Sequence, residues 1–146
     1  MPTQEPHDPL VLDSRLSELS RAQVWAEALA DRLGLNQKTR YAMRLCLEES
    51  LANIILHGYA SEAGHPIVIR SWFSDGVLYL AVEDKAPAFA PDDAPLSAGE
   101  SQSATLESLQ PGGYGIRLLR HFAGSLTYER LPDGNRLTIG FSIQTS

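Results

Sequence analysis

The chain has 146 residues, 43% hydrophobic and 21% charged, which supplies one folded core and is too short for two ordinary domains. Twelve Lys and Arg against 18 Asp and Glu give a net charge of −6, a balance that disfavours nucleic acid and acidic lipid surfaces as partners. A single cysteine, Cys46, excludes an internal disulfide or a cysteine-built zinc site, and the longest apolar run, residues 77–82, is far too short to span a bilayer, so a cytoplasmic protein without a membrane segment is expected.

Residues 1–9, rich in Pro and polar side chains, read as a flexible N-terminal arm, and residues 10–12 as a short edge strand. The recurrence of Leu19, Ala22, Val24, Trp25, Ala28, Leu29 and Leu33 predicts a helix over about 18–33, with Ser17 as N-cap and Gly34 as its end. A second helix is predicted to begin after Asn36 and to run through Tyr41, Leu45, Leu51, Ile54 and Ile55 to His57, with Gly58 as the stop. Residues 66–73 and 77–82 are β-rich and flank Ser74-Asp75-Gly76, a hairpin. Pro87, Pro91, Pro95 and Pro111 break all periodicity over 86–111, the length of a lid or binding loop. Gly112-Gly113-Tyr114-Gly115 then opens a third helical pattern, Ile116, Leu118, Leu119, Phe122, ending near Gly124. Residues 126–131 and 136–143 form a second hairpin around Pro132-Asp133-Gly134-Asn135. This order predicts an α+β fold of two layers, a mixed, mostly antiparallel sheet covered on one face by three helices.

Three groups of residues carry chemistry. On the second helix, at about 100° per residue, Leu45, Ala42, Cys46, Ala52 and Leu56 fall within about 60° of Glu49, with Asn53 about 40° away and Arg44 and Glu48 opposite. Glu49 and Asn53 are therefore expected inside the apolar stripe, where a carboxylate is costly unless paired, hydrogen-bonded or near a metal. One turn apart, they can address one ligand or one metal-bound water, or equally form a polar pair satisfied by backbone under a loop. At the exit of the third strand, Asp84 can accept from an exocyclic amine and Ala86 lets a flat ring approach the backbone; a plain strand exit with solvated charges is the alternative. The glycines 112, 113 and 115 at a helix start suit a phosphate, in neither the P-loop nor the dinucleotide pattern. Cys46 reads as a core residue, and Trp25 and Trp72 as core or interface aromatics.

Glu49-x-x-x-Asn53 with His57-Gly58, then Asp84 to Phe89, then Gly112-Gly113-x-Gly115, and finally Asn135-Arg136-Leu137-Thr138, in this order, resemble the GHKL ATPase superfamily, with its Bergerat-type ATP-binding fold. Within it the chain is most similar to the anti-sigma factor serine/threonine kinases of bacterial partner-switching systems, over residues 10–143. The resemblance implies a single histidine kinase-like ATPase domain over 10–146 that binds ATP and Mg²⁺, with Asn53 as the metal ligand and Glu49 as the catalytic base. Asp84 would bind the adenine amino group with Thr138 beside it, in a pocket that includes Ala86 and Phe89. Gly112, Gly113 and Gly115 would wrap the phosphates, with a nucleotide lid over about 86–111. His57 lines the site near the phosphates or caps its helix. Ala86 stands where the family usually has Gly. The implied activity is phosphorylation of an anti-sigma factor antagonist, with binding of a sigma factor or other regulator, by a homodimer that uses its first helix and N-terminal strand. Two other readings share these residues: a non-catalytic nucleotide-binding regulatory module that acts by sequestration, and an ATPase whose hydrolysis drives a lid cycle.

Overall fold

The computed structural model describes residues 9–87 and 122–143. The chain runs through β1 (Leu10–Asp13), a 3-10 turn (Leu16–Glu18), α1 (Leu19–Leu33), α2 (Gln37–Asn53), a π-helical turn (Ile54–Gly58), β2 (Pro66–Ser74), β3 (Val77–Asp84), β4 (Ser125–Leu131) and β5 (Gly134–Ser142). Gly34, at φ 65°, closes α1 by donating to the carbonyls of Ala30 and Asp31, a left-handed end that a residue without Cβ adopts at least cost. Ser17 does not cap that helix. The 3-10 turn intervenes, and Glu18 at the cap position accepts from the Asp13 amide at 2.8 Å and from Arg21 at 2.9 Å. At α2 Asn36 is the cap: its Oδ1 accepts from the Thr39 amide at 2.9 Å.

The five strands are ordered β1-β2-β3-β5-β4, and every pair is antiparallel, so the described sheet is uniform rather than mixed. Two helices are described where three were expected; the third prediction, Ile116 to Phe122, lies outside the described residues except for Phe122, which is helical. Asp75 and Gly76, at φ 51° and 77°, make the two-residue turn between β2 and β3 that matches strand twist. In the second hairpin Leu131 already faces Gly134, so the turn is Pro132-Asp133 alone, and Gly134 and Asn135 are strand residues.

Strand alternation sorts the side chains into two faces. Leu78, Leu80 and Val82 of β3 share one with Ile67 and Ile69 of β2 and with Leu137, Ile139 and Phe141 of β5, and this face joins Ala22, Ala26 and Leu29 of α1 and Met43, Leu47 and Leu51 of α2 in a single core. The opposite face carries Trp72 stacked on Tyr79 with centroids 5.3 Å apart, and Glu83 bridging Arg70 at 3.4 Å and Arg136 at 3.0 Å. Asp84 is the last member of the core-facing series on β3, opposite Ile67 on one side and Asn135 on the other. No described helix is long and apolar enough to cross a membrane.

Candidate functional site

The buried side of α2 consists of Ala42, Met43, Cys46, Leu47, Ser50 and Leu51, and its one polar member is satisfied, Ser50 donating to the Cys46 carbonyl at 2.6 Å. Glu49 and Asn53 are not at the centre of this stripe; both are half-buried on its flank. Leu45 and Ala52 are half-buried beside them, and Tyr41 and Leu56 are 53% and 41% exposed. The expectation of a core-facing Glu49 is corrected: the buried side is rotated toward Met43, Leu47 and Leu51, so that Ala42 and Cys46 of the expected stripe stay buried while Glu49, Leu45 and Ala52 come to its edge. On the flank a carboxylate keeps contact with water and needs no buried counter-ion. A half-open apolar strip bearing a carboxylate and an amide one turn apart has the composition of a ligand-facing wall.

After Asn53 the helix widens. Tyr59 donates its amide to the Ile54 carbonyl at 2.7 Å, the i to i−5 bond of a π-turn, a feature frequent at functional sites. Gly58 is not the expected left-handed stop, since the positive φ values belong to Ala60 at 50° and Ser61 at 65°. Its lack of a side chain answers a contact instead: a Cβ at Gly58 would lie 3.1 Å from Cβ of Ala86. The Tyr59 hydroxyl donates to the Pro66 carbonyl at 2.8 Å and accepts from the Lys85 amide at 2.6 Å. The end of α2, with Glu49 and Asn53 in its last turns, is thereby fastened to the exit of β3. His57 lies exposed in the π-turn.

At that exit Asp84 is 5% exposed and Ala86 2% exposed, so Asp84 is not a solvated charge, whereas Lys85 between them is exposed. The Ala86 amide and Nδ2 of Asn135 each donate to Oδ1 of Asp84 at 2.8 Å. Burial raises the carboxyl pKa above its ordinary value, and the bonds from Asn135 and Ala86 and the charge of Arg130 oppose that rise. Both of these hydrogen bonds fall on Oδ1, and no described residue donates to Oδ2. Ala86 turns its methyl toward Gly58, and its carbonyl accepts from Asn135 and from Arg130, both at 3.1 Å.

Thr138 is not beside Asp84. It pairs with Ala81 and Thr127 on the face of the sheet away from the helices, three residues and therefore one change of face from Asn135. The neighbour of Asp84 is Asn135, which the sequence reading had placed in a turn. The signal was present in the same block, and shortening the turn to two residues would have found it. Phe89, Gly112, Gly113 and Gly115, the arm and nearly all of the proposed lid lie outside the described residues.

The described residues thus place the buried Asp84 carboxylate at a strand exit that is tied to the helix end following Glu49 and Asn53, on a two-layer antiparallel scaffold. The chain belongs to the histidine kinase-like ATPase domain family, whose pattern it matches over residues 12–141. It is 34% identical over 136 residues to the serine/threonine-protein kinase BtrW of Bordetella bronchiseptica, an alignment covering 90% of this chain and 91% of BtrW. Its fold is similar to that in the crystal structure of the RsbU and RsbW domains of Rv1364c from Mycobacterium tuberculosis, with a TM-score of 0.65 at 13% identity over 94% of this chain and 33% of that one. Family and fold are thus those of a histidine kinase-like ATPase domain.

Proposed function

We propose that this protein is an ATP- and Mg²⁺-dependent serine/threonine kinase of a bacterial partner-switching system, a cytoplasmic homodimer that phosphorylates an anti-sigma factor antagonist and binds a sigma factor or another regulator. The observation that carries the reading is the meeting of Asp84 with the end of α2, through the Tyr59–Lys85 hydrogen bond and the Gly58–Ala86 contact. It supports one pocket in which Asp84 accepts from the base amine while Asn53 and Glu49 lie farther along the same wall, toward the phosphates. Mg²⁺ in such sites takes one or two protein oxygens and the phosphates of the substrate, and the hard, neutral amide oxygen of Asn53 fits that donor set. When bound, the ion would neutralise charge that spreads over the phosphoryl oxygens.

The rest of the chemistry asks for position. The γ-phosphorus bonds to the hydroxyl oxygen of the protein substrate as its bond to the β–γ bridging oxygen breaks, and the hydroxyl proton passes to the Glu49 carboxylate. The flank position of Glu49 suits that role better than a sealed one, because a protein hydroxyl has to reach it. The glycines 112, 113 and 115 complete the reading as phosphate ligands, and Phe89 as a wall of the base pocket.

Calorimetric titration with ATP and Mg²⁺ tests the site. Micromolar binding that is lost in Asn53→Ala and Asp84→Asn is expected. Glu49→Gln should keep that binding and lose transfer to the antagonist protein. No binding by the unmutated protein would overturn the kinase reading, and transfer that survives Glu49→Gln would remove Glu49 as the base.

A further inference from the structure

We infer that Asn135 is a positioning residue for base recognition: clamped by Tyr128 and Arg130, it holds the Asp84 carboxylate by Oδ1 and so presents Oδ2 to the exocyclic amine of an aminopurine. The inference rests on the nucleotide reading of Asp84 given above.

Asn135 is 2% exposed, and both ends of its amide are occupied. Its Oδ1 accepts from the Tyr128 hydroxyl and from Nη1 of Arg130 at 3.2 Å. Two donors on the oxygen decide which way the amide faces, so Nδ2 must point at Asp84, which it reaches at 2.8 Å, and it also lies 3.1 Å from the Ala86 carbonyl and 3.3 Å from that of Pro87. The last torsion of an Asp is broad, and an unheld carboxylate samples many orientations. Here two N–H groups, from Asn135 and Ala86, converge on one oxygen of Asp84 and leave the other without a hydrogen bond from a described residue. An amine completes that pattern as a donor; the 6-oxo group of a guanine base would set acceptor against acceptor. Selectivity for the base is therefore set by Asn135 acting through Asp84, and the register opposite Asp84 is what puts it there.

The test compares ATP with purine riboside triphosphate, which lacks the 6-amino group, by titration of the full chain with Mg²⁺. The unmutated protein should prefer ATP. In Asn135→Ala the preference should fall about tenfold, and in Tyr128→Phe about threefold, as expected for a lost or loosened hydrogen bond to a charged group. Affinity for the deamino nucleotide should stay within about twofold in both, a separation that loss of folded protein does not produce. A preference unchanged in Asn135→Ala, or unchanged in Tyr128→Phe should the first variant fail to fold, overturns the inference, as does equal weakening toward both nucleotides. An unmutated protein that shows no preference, or binds neither nucleotide, overturns the Asp84 reading and this inference with it.

Discussion

Gly134→Ala should be among the most damaging single-methyl additions in the molecule. A Cβ at that position runs into the Asp84 carbonyl oxygen and stands 3.0 Å from both the Asp84 carbonyl carbon and Cα of Lys85. These are backbone atoms, so no rotamer change relieves the clash; β5 must draw away from the exit of β3. Overpacking of this kind costs about 1–3 kcal/mol. The displacement also breaks the Asn135–Asp84 hydrogen bond, and bonds to charged groups are worth about 1.5–3 kcal/mol. The sum is roughly 4 kcal/mol against a domain stability of about 5–15 kcal/mol, equivalent to a fall in Tm of roughly 10 °C or more. Gly76→Ala is the control, because Gly76 has a left-handed φ of 77° and nothing within 4 Å of an added Cβ. Only the conformational cost applies there, about 1–2 kcal/mol. Urea unfolding followed by the fluorescence of Trp25 and Trp72 measures both. If Gly134→Ala costs no more than Gly76→Ala, close approach is not why residue 134 is glycine.

The contact between Gly58 and Ala86 should appear as coupling: Gly58→Ala destabilises by about 1 kcal/mol alone and by less in an Ala86→Gly background, and simple additivity in the double-mutant cycle would refute it. The raised Asp84 carboxyl pKa makes stability depend on pH. A group that binds its proton more tightly when folded favours folding below the ordinary value of 3.8 and loses that contribution as pH rises through the folded-state value. The stability of the unmutated protein relative to Asp84→Asn should therefore decline from pH 4 to pH 7, and a flat difference in urea melts at the two pH values would count against a buried carboxylate. Burial pushes the Cys46 thiol up to about 12, so a thiol reagent at pH 8 should label it only as fast as the protein unfolds; rapid labelling without denaturant would contradict the packing of α2.

The parts of the fold set by chemistry within a few residues are legible in the sequence. Asp75-Gly76 and Gly34 announce a turn and a helix end, each stands where it was expected, and α2 begins directly after Asn36 as its pattern implies. The rotation of α2 was not legible, because Leu45, Ala52 and Leu56 are as apolar as Met43, Leu47 and Leu51, and only the position of the sheet selects which of them are buried. The face of Asn135 was hidden by a turn drawn two residues too long, which left Thr138 as the polar residue of the last strand. Strand parity, once Asp84 is set opposite Asn135, decides against it. Contacts between distant backbones, such as Gly134 on Asp84, leave no local trace beyond the glycine itself.

The π-turn at the end of α2 is a place where the chain can take up a change of length. A π-turn holds one residue more than a helical turn of the same advance, so the extra residue is accommodated inside 54–58 and the chain on either side keeps its direction. Loss of one residue from 54–57 would let the turn close as regular helix, with Glu49 and Asn53 before it and Gly58 and Tyr59 after it still in place. The glycine that clears Ala86 and the tyrosine that ties down Lys85 are the fixed points of this stretch, and its residue count is not.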